Sequence, residues 1–177
     1  TPGSTGDYGV AWYRRKFVAP ADWSSCAVRV EFEAVFHTAT VWLNGRQLGQ
    51  HIGKGYTAFS FDLTHVLTPG QSNLIVVRVD NAFNDAMLPR GRSSDWAHDG
   101  GIYRPVSLIV TPKAFVERVE VDAVPDINAG TAALDVTVTV RNTGERPFEG
   151  TVDYQVVDEQ GGQIAFDSRR PIRASLN

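Results

Sequence analysis

Cysteine is almost missing from this sequence, since Cys26 is the single one among 177 residues. One thiol cannot form an intrachain disulfide, a redox pair or a thiolate metal cluster. We expect Cys26 to behave as a small apolar side chain, buried or half-buried. Because extracellular proteins can also lack disulfides, the compartment stays open, and we favour a periplasmic or extracellular location over a cytoplasmic one.

Blocks of like charge and long apolar runs are also missing. The 17 Lys and Arg residues and 20 Asp and Glu residues give a net charge of −3 and are dispersed along the chain. Nucleic-acid and membrane-surface binding need clustered positive charge. The longest apolar runs, such as Leu74 to Val77, have the length of a strand and are far too short to cross a bilayer. We therefore predict neither a nucleic-acid nor a membrane partner.

Signals for helices and for metal sites are weak. The best helix candidate is residues 62–70, where Thr64 would cap a single turn that Pro69 and Gly70 end. The four histidines are scattered without the paired spacing of a zinc site. Residues 80–85 resemble a calcium-binding corner of jelly rolls, but they do not supply a defined ligand set. We predict no metal and no cofactor.

The dominant positive signal is a two-residue periodicity. Val28, Val30 and Phe32 alternate with charged residues, as in a half-buried antiparallel strand. Asn44 and Gly45 are a strong signal for a tight hairpin turn. Further alternating or apolar rows lie at residues 59–63, 74–79 and 106–110. Many short strands separated by Gly, Pro and Asn predict an all-β sandwich, jelly roll or barrel.

A turn-rich segment, Thr111 to Lys113, precedes a second series of strand patterns at residues 119–123, 134–140 and 152–156. We therefore predict two domains, 1–112 and 113–177. The second series has the strand spacing of an immunoglobulin-like sandwich, which needs about 100 residues and seven strands. Only four or five strands fit here. We expect a partial sandwich, completed either by strands of a longer parent chain or by self-association and strand exchange with a neighbour.

Five motifs occur in order between residues 8 and 110: GVAWYRRKF (9–17), ATVWLNGRQLG (39–49), GYTAFSFDL (55–63), PGQSNLIVVRVDN (69–81) and DGGIYRPV (99–106). Each is weak alone, but the collinear series resembles the N-terminal region of family 2 glycoside hydrolases, which include β-galactosidases and β-glucuronidases. The resemblance implies a galactose-binding-like jelly-roll "sugar-binding" domain followed by part of an immunoglobulin-like sandwich.

The same resemblance implies a role. Hydrolysis with retention needs two carboxylates about 5 Å apart, and in the family both are glutamates on a downstream (β/α)₈ barrel. No segment of this sequence resembles that barrel. We expect a non-catalytic portion of a retaining, exo-acting parent enzyme, most similar to β-galactosidases. Its expected partners are the downstream barrel of the same chain and, in the intact parent, carbohydrate.

One loop is a candidate for sugar contact. Residues 86–101 are long for a connection between strands, and long loops on rigid sandwiches are often functional. In the family, an aspartate six residues before the Gly of the Gly-Ile-aromatic motif contacts sugar hydroxyls. Counting back from Gly101 gives Asp95, followed by Trp96, with Asp99 as a second candidate. The alternative for Asp95 is a solvated loop acid or a turn former.

Other residues have plainer interpretations. We expect Trp12, Trp23 and Trp42 to pack in the core or between domains rather than to serve as sugar platforms. We expect Arg104 to form a structural ion pair or to cap carbonyl groups. Two further functions stay open: a stand-alone carbohydrate-binding module and a purely structural spacer. The strand count disfavours the stand-alone module, because an independent module is not expected to end in the middle of a sandwich.

Overall fold

The structure is a computed structural model that describes residues 8–84, 87–88 and 100–174, with side chains described as far as residue 162. It divides into two compact units, Thr1–Val110 and Thr111–Asn177. The described residues form thirteen strands and a single 3₁₀ helix, Ala21–Ser25. The predicted all-β sandwich fold is confirmed.

The first unit is built from two main sheets. Its strands are β1 (Val10–Val18), β2 (Cys26–Phe32), β3 (Val35–Phe36), β4 (Thr38–Leu43), β5 (Arg46–His51), β6 (Phe59–Asp62), β7 (Ser72–Asp80), β8 (Gly101–Ile102) and β9 (Val106–Pro112). One sheet has the order β1-β7-β4-β5 and the other has the order β6-β2-β9. The short strands β3 and β8 pair antiparallel, with Phe36 opposite Gly101. The order is non-sequential, so long-range pairings bring β1 beside β7 and β2 beside β9.

The core lies between the two sheets and follows the predicted alternation. In β2, Val28, Val30 and Phe32 are each 1% exposed, while Arg29 and Glu31 between them are only partly buried. In β4 and β7 the matching inward residues are also buried: Ala39, Val41, Leu43, Val77 and Val79. Burial of these apolar side chains is the main contribution to the stability of the unit.

A polar network holds the β4–β5 hairpin to the start of β7. Asn44 (φ 50°) and Gly45 (φ 84°) form the predicted turn. Asn44 also donates from Nδ2 to Oδ1 of Asn73, at 2.8 Å, and accepts the Leu74 amide, at 2.9 Å. Asn73 is 1% exposed, and its Nδ2 donates to the carbonyl oxygens of Thr68 and Gln71. Both amide side chains are therefore structural.

Residues 62–70 form turns rather than a helix. Asp62, not Thr64, provides the cap, because its Oδ1 accepts the Thr64 amide at 2.7 Å. The Thr64 hydroxyl oxygen instead accepts the amide of Val28 in β2. Two hydrogen bonds close one turn here, from the Val66 and Leu67 amides to the Leu63 carbonyl. Among the described residues, no helix is long and apolar enough to span a membrane.

The second unit consists of two long hairpins. β10 (Ala114–Asp126) pairs antiparallel with β11 (Thr131–Asn142), and β12 (Phe148–Val157) pairs with β13 (Gln163–Ala174). Asn142 is 4% exposed and anchors the connection between them, since its Nδ2 donates to the Arg146 carbonyl. Four strands agree with the predicted partial sandwich.

The β10–β11 hairpin has one apolar and one polar face. Val121 lies opposite Val136 on the first face, and Asp122 lies opposite Asp135 on the second. The apolar face is not covered by the described residues, because Val119 and Val121 are 55% and 59% exposed. An immunoglobulin-like domain buries such a face against a second sheet.

Candidate functional site

The two ends of the loop that contains the predicted site residues meet beside β1. Asn81 follows the last residue of β7 and is 7% exposed. Its side-chain Oδ1 accepts a hydrogen bond from the backbone N–H of Gly9 at 2.8 Å. Its backbone N–H donates to the Gly9 carbonyl oxygen at 3.0 Å. This reciprocal pair extends the β1–β7 pairing by one residue and fixes where the chain leaves the sheet.

Two glycines close the other end of the loop. A Cβ on Gly100 would collide with the side-chain nitrogen of Asn81, and a Cβ on Gly101 would collide with the Tyr13 hydroxyl. Gly101 also has φ +97°, a conformation that L residues rarely adopt. The Gly-Gly pair is therefore required by close approach and backbone geometry, as expected for glycines next to a strand.

These residues surround a cleft of about 350 Å³. Its lining is mixed in polarity, with exposed backbone groups as well as aromatic and amide side chains. The lining residues are Tyr8, Gly9, Val10, Ala11, Tyr13, Val79, Asn81, Gly100 and Gly101. Tyr8 also packs edge-on against Phe83, with ring centroids 6.5 Å apart. The cleft is the described part of the candidate site, and the loop of residues 81–100 begins and ends in it.

The predicted substrate-contacting residues Asp95, Trp96 and Asp99 lie outside the described residues. In the sequence, Asp99 is the immediate neighbour of Gly100. The structure therefore describes only the base of the loop, which is formed by Gly9, Asn81 and Gly100. We did not predict this base from the sequence, although two signals were present: the Asn at the end of the β7 motif and the Gly-Gly pair.

The Gly-Ile-Tyr-Arg motif continues from this base into aromatic packing. Tyr103 donates from its hydroxyl to the Gly55 carbonyl at 2.8 Å, and its ring meets that of Tyr56 edge-on. This bond ties the motif to the segment after β5. Arg104 is exposed and has no hydrogen bond or ion pair with any described residue. The structural ion pair expected for Arg104 is therefore not found in this part of the chain.

Nearby acidic and amide groups are already engaged. Asp80 forms an ion pair with Arg78 at 2.9 Å through Oδ2, and its Oδ1 accepts the Ala82 amide at 3.0 Å. Within the described ranges, no group of three or more His, Cys, Asp or Glu is placed to hold a metal ion. Asp85, the last residue of the segment 80–85 that resembles a calcium-binding corner, lies outside those ranges.

An aromatic pair lies on the outer face of the β1-β7-β4-β5 sheet. Trp12 and Trp42 stack with ring centroids 5.6 Å apart and an interplanar angle of 30°. Trp12 is 62% exposed, so it does not pack in the core of this unit, and packing between domains stays a prediction. Trp23 does pack against the core. The difference follows from β1, whose alternation places Trp12 outward.

Comparison with known proteins identifies the fold and these motifs. The family model described as "Glycosyl hydrolases family 2, sugar binding domain" matches residues 2–112. The chain belongs to glycosyl hydrolase family 2. This match confirms the prediction, made from the five motifs, that the chain contains the sugar-binding domain of a family 2 glycoside hydrolase.

Relatives of this family 2 chain are named as two kinds of enzyme. It is 32% identical over 153 residues to a β-galactosidase of Thermoanaerobacter pseudethanolicus, covering 86% of this chain and 20% of the relative. It is 27% identical over 175 residues to a β-glucuronidase of Paenibacillus borealis, covering 89% of this chain and 28% of that relative. A solved putative β-galactosidase of Bacteroides fragilis superposes with a TM-score of 0.86 at 29% identity, over 94% of this chain and 25% of that one. The chain thus spans only 20–28% of these proteins.

Proposed function

We propose that this chain is the non-catalytic N-terminal portion of a family 2 glycoside hydrolase, of the β-galactosidase type. In the intact parent it supports a downstream catalytic barrel and contributes the loop of residues 86–101 to the sugar pocket. Asp95, Trp96 and Asp99 are the proposed substrate-contacting residues. We place the boundary between its two domains at residues 112 and 113, and we assign retaining, exo-acting hydrolysis to the parent.

The observation that carries this proposal is the fixed base of the loop. The reciprocal Gly9–Asn81 hydrogen bonds and the close approach of Gly100 hold both ends of a long loop at one cleft. A loop with a rigid base can present a carboxylate to a ligand at lower ordering cost than a loop with free ends. A carboxylate suits sugar hydroxyls, because it accepts charge-assisted hydrogen bonds from two of them.

The described carboxylates do not form a hydrolytic site. Asp122 and Asp135 face each other across β10 and β11, but both side chains are exposed on a flat hairpin. A general acid for glycoside hydrolysis needs an apolar setting that raises its pKa, and the pair must flank the glycosidic bond. A solvent-exposed hairpin face offers neither, so Asp122 and Asp135 are not candidates for such a pair.

The open second unit supports attachment to more polypeptide. Its apolar β10–β11 face is exposed in the described residues, and a free domain of this kind would leave that surface in water. Strands from a longer parent chain, or strands exchanged with a neighbouring copy, would cover it. The short share of each relative that the chain spans favours the first alternative.

The decisive experiment replaces Asp95 in the full-length parent enzyme. Asp95→Ala should lower kcat/KM for an aryl β-galactoside by at least about tenfold, since a buried charge-assisted hydrogen bond contributes about 1.5–3 kcal/mol. Asp95→Asn should restore part of the loss, because the amide still accepts one hydroxyl hydrogen bond. Thermal unfolding of both variants should match the parent.

Asp22→Ala is the matched control. It makes the same Asp-to-Ala change in the exposed 3₁₀ helix Ala21–Ser25, outside the candidate loop. It should leave kcat/KM unchanged within about twofold. Unchanged kinetics in Asp95→Ala would remove this residue from the sugar pocket. Turnover of any aryl glycoside by the purified 177-residue chain, above that of a mock purification, would overturn the non-catalytic assignment.

A second candidate function is favoured by one observation, the stacked Trp12–Trp42 pair, of which Trp12 is exposed and lies opposite Arg78 in the β1–β7 pairing. An exposed tryptophan offers a large apolar ring face together with a polar N–H, which suits a ligand with both apolar and hydroxyl surfaces. Calorimetry of the chain with galacto- and gluco-oligosaccharides separates the two functions. The main proposal expects no binding tighter than about millimolar, because ordering costs offset so few contacts. Submicromolar binding that Trp12→Ala abolishes would establish the module instead.

A further inference from the structure

The turn between β4 and β5 contains Asn44-Gly45, a dipeptide that is chemically labile in flexible chains. The amide nitrogen of the residue after an asparagine can attack the asparagine Cγ, and glycine obstructs this approach least because it has no Cβ. Asn44 is the only asparagine in the sequence that precedes a glycine. Both residues are exposed, and a Cβ on Gly45 would meet nothing within 4 Å. Water and hydroxide can therefore reach the pair.

The Asn44 side chain is held at both of its polar atoms. Its Nδ2 donates to Asn73 Oδ1 at 2.8 Å and to the Val66 carbonyl oxygen at 3.1 Å. Its Oδ1 accepts the Leu74 amide at 2.9 Å, and the Asn44 backbone amide donates to the Leu74 carbonyl oxygen at 2.9 Å. Attack on Cγ would convert this planar carbon to a tetrahedral one. That change moves Nδ2 and Oδ1 off all three side-chain partners.

The main partner of Asn44 is itself fixed in place. Asn73 is 1% exposed, and its Oδ1 also accepts the Thr68 amide at 2.9 Å. Its Nδ2 donates to the carbonyl oxygens of Thr68 and Gln71. Because unpaired buried polar groups are costly, Asn73 cannot follow a moving Asn44 without losing its other bonds. Release of the Asn44 side chain thus requires the hairpin turn to separate from the start of β7.

We propose that Asn44 is a deamidation site whose reaction is confined to molecules in which the β4–β5 hairpin has opened. In the open form the Gly45 amide loses its proton to hydroxide, and its nitrogen bonds to Asn44 Cγ. The Cγ–Nδ2 bond breaks and ammonia leaves, which gives a cyclic succinimide. Water then opens the succinimide at either carbonyl carbon, to aspartate or isoaspartate. In sum, one amide and one water become one carboxylate and one ammonium ion.

Neither product fits the closed hairpin. In aspartate a carboxylate oxygen replaces Nδ2, so that it would face the Asn73 Oδ1 and Val66 carbonyl oxygens, which are both acceptors. Isoaspartate also adds one carbon to the main chain, in a turn whose residues have φ 50° and 84°. Each conversion should therefore favour the open hairpin. The fraction of product accumulates and records how often the hairpin has opened.

The test compares the 177-residue chain with a capped peptide of residues 42–47 at the same mildly alkaline pH and temperature. Pepsin digestion at acid pH, which stops the reaction, is followed by mass spectrometry, and isoaspartyl methyltransferase measures the isoaspartate. Three side-chain hydrogen bonds must break, and each contributes about a factor of five. The folded chain should therefore deamidate at Asn44 at least about thirtyfold more slowly than the peptide.

Matched variants separate local opening from unfolding of the whole unit. Asn73→Ala removes one partner of Asn44 and should raise the rate at Asn44 by at least about fivefold. Val30→Ala is the control, because it weakens the core from β2 and removes no hydrogen bond of the network. It should change the rate less than about twofold while the chain stays folded, which circular dichroism checks. Asn73→Ser is the second network variant in case Asn73→Ala does not fold.

The product is tested separately with Asn44→Asp. Hydrogen exchange at the amides of residues 46–51 should be at least about fivefold faster in this variant, because the carboxylate faces two acceptors. Exchange no faster than in the unsubstituted chain would contradict the proposal.

Three rate results would also overturn the proposal. The first is a rate in the folded chain within about threefold of the peptide rate. The second is an unchanged rate in a folded Asn73 variant. The third is equal acceleration by Val30→Ala and Asn73→Ala, since the reaction would then follow unfolding of the unit. None of these results bears on Asp95 or on the sugar pocket.

Discussion

Replacement of Gly101 by alanine probes the loop base most directly, because two separate costs meet at this residue. Its φ of +97° disfavours any Cβ, and the space a Cβ would take is filled by the Tyr13 hydroxyl. The first cost belongs to the backbone and the second to packing. Substitutions elsewhere in the same unit carry one cost without the other, so the two contributions can be measured separately.

The magnitudes follow from these geometries. An alanine at positive φ costs about 1–2 kcal/mol, and an overpacked contact costs about 1–3 kcal/mol. Gly101→Ala should therefore lower the free energy of unfolding by about 3 kcal/mol. Gly53→Ala has φ +70° and only a distant neighbour, 3.9 Å away, so it should show the backbone cost alone. Gly100→Ala, which collides with Asn81 without positive φ, should show the packing cost alone.

The assay is thermal unfolding followed by tryptophan fluorescence. All four tryptophans, Trp12, Trp23, Trp42 and Trp96, belong to the first unit, so the signal reports that unit by itself. At about 4–8 °C per kcal/mol for a domain near this size, Gly101→Ala should lower the Tm by at least roughly 10 °C. Adding Tyr13→Phe should recover about 1–2 kcal/mol, since it removes the colliding oxygen.

Two outcomes would refute this account. If the Gly101→Ala/Tyr13→Phe double variant is as unstable as Gly101→Ala, the hydroxyl is not the obstacle. If Gly101→Ala unfolds within about 0.5 kcal/mol of the unsubstituted chain, the described backbone geometry at the loop base is wrong. Tyr13→Phe by itself should be close to neutral, because no described group accepts or donates a hydrogen bond at its hydroxyl.

Three further predictions concern the first unit. Asn73→Ala should cost about 3 kcal/mol in urea unfolding, because it leaves the Thr68 amide and the Asn44 side chain without their buried acceptor; a loss below 1 kcal/mol would contradict the network. Leu43→Ala, at a site with 0% exposure, should cost about 2–5 kcal/mol, and Trp12→Ala on the outer face less than about 1 kcal/mol; equal costs would show that Trp12 is buried in solution. A chain ending after Pro112 should unfold within about 3 °C of the full chain by tryptophan fluorescence, and failure to fold would move the proposed boundary.

Local patterns in the sequence predicted most strands correctly. Alternation identified β2, β6 and β9, and Asn44-Gly45 identified the hairpin, because period-two burial and positive φ are properties of a few neighbouring residues. The motifs of residues 9–106 further predicted the family, which the match over residues 2–112 confirms.

Contacts between residues far apart in the sequence could not be predicted from such local patterns. The inward role of Asn73 depends on Asn44, 29 residues away, and the Gly9–Asn81 pair joins residues separated by 72. Trp12 was expected to pack in the core or between domains, but it lies on the outer face of an edge strand, and the sequence pattern does not show which face of that strand is inward. The cap on residues 62–70 was assigned to Thr64 instead of Asp62, because the sequence does not show that the Thr64 hydroxyl is taken by β2.

The clamp of Gly9, Asn81 and Gly100 has a consequence for how such a scaffold diversifies. Both ends of the loop are pinned by backbone and amide contacts, so the points at which the chain leaves and re-enters the sheet are fixed. Between these points Met87 is 0% exposed, so at least this residue of the connection cannot change to a polar one without a cost in stability. Proteins named as β-galactosidases and as β-glucuronidases are 32% and 27% identical to this chain, so the same region occurs in enzymes with two different names.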